Sequence, residues 1–351
     1  MKRLPVLTAC AAQGGFTLLE LLLVVAILSS LALAATTFVD NADDQERFEG
    51  TRERLEQIRF ATIGDGGRTA NGQPELRGFV ADMGRLPGDL KELIEHPLDC
   101  NRDGTDEADG NGNGLPDDCE WRLDAVTGLW VGWHGPYLGV LADSSGVRAY
   151  RDSWGNGGAA PNYGWKFEPT DRDASTPPND FDNTLQVQSY GSDGSTANAD
   201  PGPYDEEYPS VGKLVELYDH QVNVKGWSIT VSFFNPSPPE GATTAQIPTS
   251  PIPLYLRLCY PTDGAITAAS PRADATLNPV NDGDTTTVTF TFPPGTDAYV
   301  PIGVRSLRVF DNVSSDCAIA TNYGAANQRL LVALVPRAHL PVSVNQAWRL
   351  E

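Results

Sequence analysis

Basic residues are scarce in this 351-residue chain: 25 Lys and Arg stand against 46 Asp and Glu, a formal net charge of −21. Phosphate backbones bind surfaces of the opposite sign, so the balance excludes nucleic acid as a partner. Histidine is rarer still. His96, His134, His220 and His339 are scattered without metal-ligand spacing, which speaks against a histidine-bound zinc centre. No Gly-Lys-Ser phosphate loop occurs, and Gly191-Ser192-Asp193-Gly194 lacks the nucleophile-elbow pattern. The expectation is a protein that is not an enzyme.

The stretch around which the rest is organised is apolar and N-terminal. A helix needs about 20 mostly apolar residues to cross a bilayer, and Phe16 to Ala35 supplies them. Glu20 is the exception. A carboxylate inside a spanning helix costs roughly 2.5–3.5 kcal/mol near its centre, so it marks a function. One reading is a secretory signal peptide, with Lys2 and Arg3 as its basic end and Ala32-Leu33-Ala34 as a cleavage site. The other starts from Gly15-Phe16-Thr17-Leu18-Leu19-Glu20, which strongly resembles the processing and assembly signal of type IV pilins and type II secretion pseudopilins. That resemblance implies that a prepilin peptidase cuts between Gly15 and Phe16 and methylates Phe16. It also implies that Glu20 meets a terminal amine as subunits join into a filament, where an unpaired charge is expensive and a paired one specific. Under either reading Lys2 and Arg3 stay cytoplasmic and the remainder is exported. The implied location is the bacterial inner membrane, crossed once, with the head in the periplasm or carried on a surface filament.

Cys10 falls in the leader, leaving Cys100, Cys119, Cys259 and Cys317 outside the cytoplasm, an even set. Three pairings are open. The local one, Cys100–Cys119 with Cys259–Cys317, keeps each pair within one module. With 34 Gly and 27 Pro, loops and β structure are expected beyond the stem.

Along the chain we read a leader over 1–15 and a transmembrane and stem helix over 16–60. A head follows over 61–200, then a Pro-rich acidic linker over 201–212 and a β-domain over 213–351. On the stem, Asp43 with Arg47 and Arg52 with Glu56 are spaced to pair, Phe48, Leu55 and Ile58 form an apolar stripe, and Gly50 is a point of bending. A short helix is expected over Asp89 to Glu95, capped by Asp89. In the last module Leu214–Tyr218, Trp227–Phe233, Leu254–Tyr260, Thr287–Phe292, Val304–Phe310 and Leu330–Val335 read as strands of a small antiparallel sandwich. The fold class is therefore α+β: a long N-terminal helix on a small antiparallel-sheet head, then an all-β sandwich-like domain.

Four further stretches, Asp82 to Pro87, Gly135 to Leu138, Asp152 to Asn156 and Tyr190 to Gly194, resemble in order the motifs of the major pseudopilin of type II secretion systems. The resemblance covers about residues 15 to 200. Each motif alone is also compatible with an ordinary aromatic turn. Ser153 replaces the family's usual proline, Cys100 to Cys119 is an insertion, and the family's chains usually end soon after the last motif. Asp193 reads first as a backbone-turn residue; the alternative implied by the resemblance is a calcium-binding loop that it would share with Asp200.

The insert itself is acidic. Asp109, Asn111, Asn113, Asp117 and Glu120 fall at calcium-loop positions, with Gly114 at the sharp turn and Asp118 alongside. Upstream, Asp99, Asn101, Asp103 and Asp106 repeat the half-pattern. The tandem, ending in a cysteine, resembles thrombospondin type 3 and related bacterial repeats. Eight carboxylates against the single Arg102 repel one another unless a cation intervenes, and hard oxygen donors suit Ca²⁺. A solvated acidic loop is the competing reading.

The sequence therefore leads to a pilin-like structural subunit that binds calcium. Its expected partners are the prepilin peptidase, the membrane and other pilin or pseudopilin subunits, the chain itself included, in a homo- or hetero-oligomeric filament. Two alternatives remain: a minor or adhesive pilin that binds a surface through its β-domain, and a secreted calcium-binding enzyme with a cleaved signal peptide.

Overall fold

The computed structural model describes residues 17–65, 68–70, 73–74, 76–102, 104–106, 108–113, 116–158, 160–170, 184–194, 214–237, 246–266, 270–295, 297–319, 323–324, 328–336 and 343–350.

Helix α1 (Leu18–Ile63) is a single run of 46 residues, about 69 Å at 1.5 Å per residue. It stops at Gly64, whose positive φ of 78° and N–H bond to the Phe60 carbonyl end it three residues beyond the expected boundary at 60. Leu55, Ile58, Ala61 and Ile63 are buried, so the apolar stripe continues to the helix end. The helix runs through Gly50 without a break. A Cβ there would lie 2.6 Å from Ser153 Oγ, so the glycine marks a close approach of the head. The charge pairs also differ from expectation: Arg52 contacts Glu49 at 3.4 Å, and Arg47 lies over the Trp154 ring at 5.9 Å. Described side chains from Leu18 to Leu33 are mostly exposed. Among the described residues no helix is long and apolar enough to cross a membrane. The apolar run extends beyond them, to Phe16 on one side and to the side chains of Ala34 and Ala35 on the other.

The head is built on α2 (Phe79–Met83) and the antiparallel hairpin β1 (Trp165–Thr170) and β2 (Thr184–Ser189). Asp89 caps as expected, its Oδ1 accepting from Glu92 N at 3.1 Å, but only one 3₁₀ turn forms, Lys91–Leu93. Phe79, Met83, Leu86, Leu90, Leu93, Trp165 and Val187 close over Ile58 of α1 in one apolar cluster. Each such side chain contributes about 1.5–3 kcal/mol on burial.

The same cluster runs on into the last module. There α3 (Leu217–His220) is followed by β3 (Ser228–Phe234), β4 (Ile252–Cys259), β5 (Arg272–Leu277), β6 (Thr285–Thr291), β7 (Gly303–Phe310), β8 (Leu330–Leu334) and β9 (Ser343–Arg349). These strands form one seven-stranded curled sheet in the order β8-β7-β4-β5-β6-β3-β9, antiparallel except for the parallel β9–β3 pair. This corrects the sandwich. A separate two-stranded ladder pairs Gln221–Asn223 with Tyr299–Pro301. Six consecutive residues of β7, Arg305 to Phe310, are buried: Arg305 meets the Ala81 carbonyl of the head, while Arg308, an odd number of positions along the strand and so on its other face, reaches the Cys317 and Ile319 carbonyls. The expected strand Leu214–Tyr218 is a single bridge leading into α3, where Glu216 and Asp219 form a capping box.

Both disulfides have the expected local pairing, with Cα–Cα separations of 5.9 Å for Cys100–Cys119 and 5.6 Å for Cys259–Cys317. Several bonds cross between the head and the sheet. Arg85 Nε lies 2.7 Å from Asp263 Oδ1, Gly264 N donates to the Met83 carbonyl at 3.0 Å, and Arg59 lies 3.4 Å from Asp219. The 201–212 linker lies outside the described residues.

Candidate functional site

Gly15 and Phe16 lie outside the described residues, and the first described residue is Thr17. Thr17 and Glu20 form a capping box on α1. Glu20 N donates to Thr17 Oγ1 at 3.2 Å, and Glu20 Oε2 accepts from Thr17 N at 3.0 Å. The spacing Thr-x-x-Glu is itself a helix-start signature, legible in the sequence and not used there. It places the Glu20 carboxylate in the positive first turn of a helix whose apolar face carries Leu18 and Leu19 fully exposed to any partner.

The four motif stretches, Asp82 to Pro87, Gly135 to Leu138, Asp152 to Asn156 and Tyr190 to Gly194, form two joints. Asp82 of the first motif accepts the Tyr137 hydroxyl of the second at 2.9 Å, and the backbone N–H groups of Tyr137 and Leu138 donate to the Leu93 carbonyl. Asp152 of the third motif is buried. It accepts Asn156 Nδ2 at 2.7 Å and Ser189 Oγ at 2.6 Å, while Asn156 Nδ2 also reaches the Gly191 carbonyl of the fourth at 2.9 Å. Arg54 of α1 donates to the carbonyls of Arg151 and Asp152, locking the stem to this joint. The motifs are thus framework, and sequence reading missed Arg54 because its partners lie 97 and 98 residues away. Asp193 is exposed on the turn after β2, and Asp200 lies outside the described residues.

The acidic loop divides. Asp109 Oδ1 accepts from Gly112 N at 2.6 Å and Asn113 N at 3.1 Å. Asn111 Nδ2 and Asn113 Nδ2 reach the two Glu120 oxygens at 3.0 and 2.9 Å, and Asp117 Oδ2 accepts from Gly110 N at 3.1 Å. The other oxygen, Asp117 Oδ1, is buried with no hydrogen-bond partner. Five of the expected calcium ligands are therefore brought together. Asp99 and Asp106 instead line a separate pocket of about 370 Å³ with Asp89, Glu92, His96 and Arg102. Asn101 is described, whereas Asp103 and the Asp118 side chain lie outside the described residues. Among the described residues no group of three or more His, Cys, Asp or Glu is arranged to hold a metal ion.

Comparison with known proteins matches residues 10–36 to the family model of the prokaryotic N-terminal methylation motif. No curated protein and no solved structure matches the chain. The chain thus carries the signal of a type IV pilin-like subunit, which implies processing by prepilin peptidase and assembly with other pilin subunits.

Proposed function

We propose that the protein is a structural subunit, not an enzyme, of a type II secretion pseudopilus or a type IV pilus-like filament. In this reading α1 holds it once through the bacterial inner membrane until assembly, with the head outside the cytoplasm. The observation that carries the proposal is the methylation motif over 10–36, with its glutamate in the first turn of an exposed apolar helix. In the isolated chain the Glu20 carboxylate is occupied by Thr17. In the filament, the methylated amine of a neighbouring Phe16 takes that place as a full opposite charge, a stronger partner than a neutral N–H.

Two substitutions separate cap from charge. Glu20→Gln keeps an acceptor for the capping box, whereas Glu20→Ala loses both, at about 1 kcal/mol of local helix stability. Both variants should insert into the membrane and both should be missing from filaments sheared from cells. Recovery of Glu20→Gln in filaments at the wild-type level would remove the charge from the account.

Calcium belongs to the same proposal. Asp109, Asn111, Asn113, Asp117 and Glu120 offer only hard oxygen and amide groups, and the partnerless Asp117 Oδ1 is a buried acceptor that a cation would satisfy. Both amides would have to turn their oxygens inward. Loops of this kind in extracellular modules bind at roughly 10⁻⁴–10⁻³ M, so stabilisation by about 2.7 kcal/mol is expected at a hundredfold excess over the dissociation constant. Thermal unfolding of the full chain in detergent should rise in millimolar Ca²⁺, less so in equal Mg²⁺, and fall back with chelator. Asp109→Ala should remove the gain while exposed Asp311→Ala keeps it. Superimposable curves in all three solutions would leave the loop as an acidic tether closed by Cys100–Cys119.

A further inference from the structure

The contact between head and sheet contains a half-buried carboxyl group that the assembly reading does not use. Asp82 sits on α2, its Oδ2 bonded to the Tyr137 hydroxyl at 2.9 Å. Arg305 of β7 is 1% exposed and enters the same space from the sheet. Its Nη1 donates to the Ala81 carbonyl at 3.1 Å, its Nε to the Pro301 carbonyl at 2.9 Å, and its Nη2 to the Ile302 carbonyl. The guanidinium therefore joins β7 to the backbone of α2, beside the one carboxyl group of that helix. Tyr137 ties the cluster to the rest of the head through its N–H bond to the Leu93 carbonyl at 2.9 Å.

We propose that Asp82, Tyr137 and Arg305 form a proton-controlled clasp that sets how firmly the C-terminal sheet is held against the head. Burial pushes the Asp82 carboxyl up to about 7, against the lowering effects of the Tyr137 hydrogen bond and of the Arg305 and Arg77 charges. Burial also lowers Arg305 to about 9, with Asp82 and Tyr260 opposing, so Arg305 remains charged across neutrality. Arg85, held by Glu92 and Asp263, acts on the Tyr137 side of the cluster.

The sign follows from linkage. Opened to solvent, Asp82 ionises near 3.8, whereas in the closed contact it keeps its proton to about 7. The closed state binds that proton more tightly, so the clasp is firmest in acid and weakens as pH rises through this window. Between pH 6 and pH 8 the open form is ionised throughout while the closed form must lose its proton. The open-to-closed ratio therefore rises about tenfold.

Hydrogen exchange of the full chain in detergent, corrected for the intrinsic pH dependence of exchange, tests this on the amides of Phe79–Met83 and Gly303–Phe310. Opening of both segments should increase about tenfold from pH 6 to pH 8 in the wild type. It should be independent of pH in Asp82→Asn, which keeps an acceptor for Tyr137. In Tyr137→Phe, where a hydrogen bond that lowers Asp82 is lost, the midpoint should move to higher pH, and this variant serves if the asparagine protein does not fold. A wild type without the pH dependence, an Asp82→Asn protein that retains it, or a Tyr137→Phe midpoint that does not move would each overturn the clasp.

Discussion

Arg85→Ala should destabilise the whole protein by roughly 3–5 kcal/mol, the range found when one partner of a buried ion pair is removed. Arg85 is 2% exposed and its guanidinium is shared among four partners, one of them the Leu86 carbonyl 3.1 Å from Nη1. Nη1 meets Glu92 at 2.6 Å, Nε meets Asp263 at 2.7 Å, and Nη2 donates to the Cys100 carbonyl at 2.9 Å. The same group lies over the Phe79 ring at 5.1 Å. Burial works against its charge, but Glu92 and Asp263 outweigh it and hold it protonated. Alanine would leave the buried Glu92 carboxylate and the half-buried Asp263 carboxylate without the guanidinium they share, with only Arg102 nearby to offset them, and would free the base of the acidic loop together with the Asp263 turn. Denaturant unfolding of the full chain in detergent measures the loss. Replacing Arg85, Glu92 and Asp263 together by apolar residues of similar volume should cost far less, because no charge is then stranded. A single-variant loss below about 1 kcal/mol would mean that water reaches the triad and that the head and sheet are not joined through it.

How much of this was legible depended on how local the cause was. Both disulfides could be read from the module boundaries, because Cys100–Cys119 and Cys259–Cys317 each close within one stretch of sequence. The strands with alternating large apolar residues, such as Ile229, Val231 and Phe233, were plain. Strand β5, Arg-Ala-Asp-Ala-Thr-Leu, was not, since its inward positions include small alanines that carry little period-two signal. The seven-stranded sheet could not be told from a sandwich because strand order depends on pairings distant in sequence, such as Ser343–Arg349 beside Ser228–Phe234, and the head meets it at an Arg305–Ala81 bond between residues 224 apart. The four motif stretches were visible as aromatic turns and glycines, but their bonding to one another and to Arg54 appears only in three dimensions. Gly50 shows the same limit: a helical glycine reads as a weak point, and only the position of Ser153 shows it to be a contact.

The second large effect concerns maturation. A peptidase that cuts between Gly15 and Phe16 must draw the chain ahead of the apolar helix into its site, and glycine, without a side chain, leaves room for this. Gly15→Leu should abolish processing. The basic leader would stay attached, Phe16 would have no free amine to methylate or to offer Glu20, and the subunit would accumulate in the membrane outside any filament. Terminal-peptide mass spectrometry of the wild-type and Gly15→Leu proteins, purified side by side from the membrane fraction, tests the central claim most directly. The account predicts a wild type that begins at Phe16 with one methyl group on its amine and a variant that retains residues 1–15. A wild type that begins near Ala35, or a Gly15→Leu protein that matures normally, would contradict it.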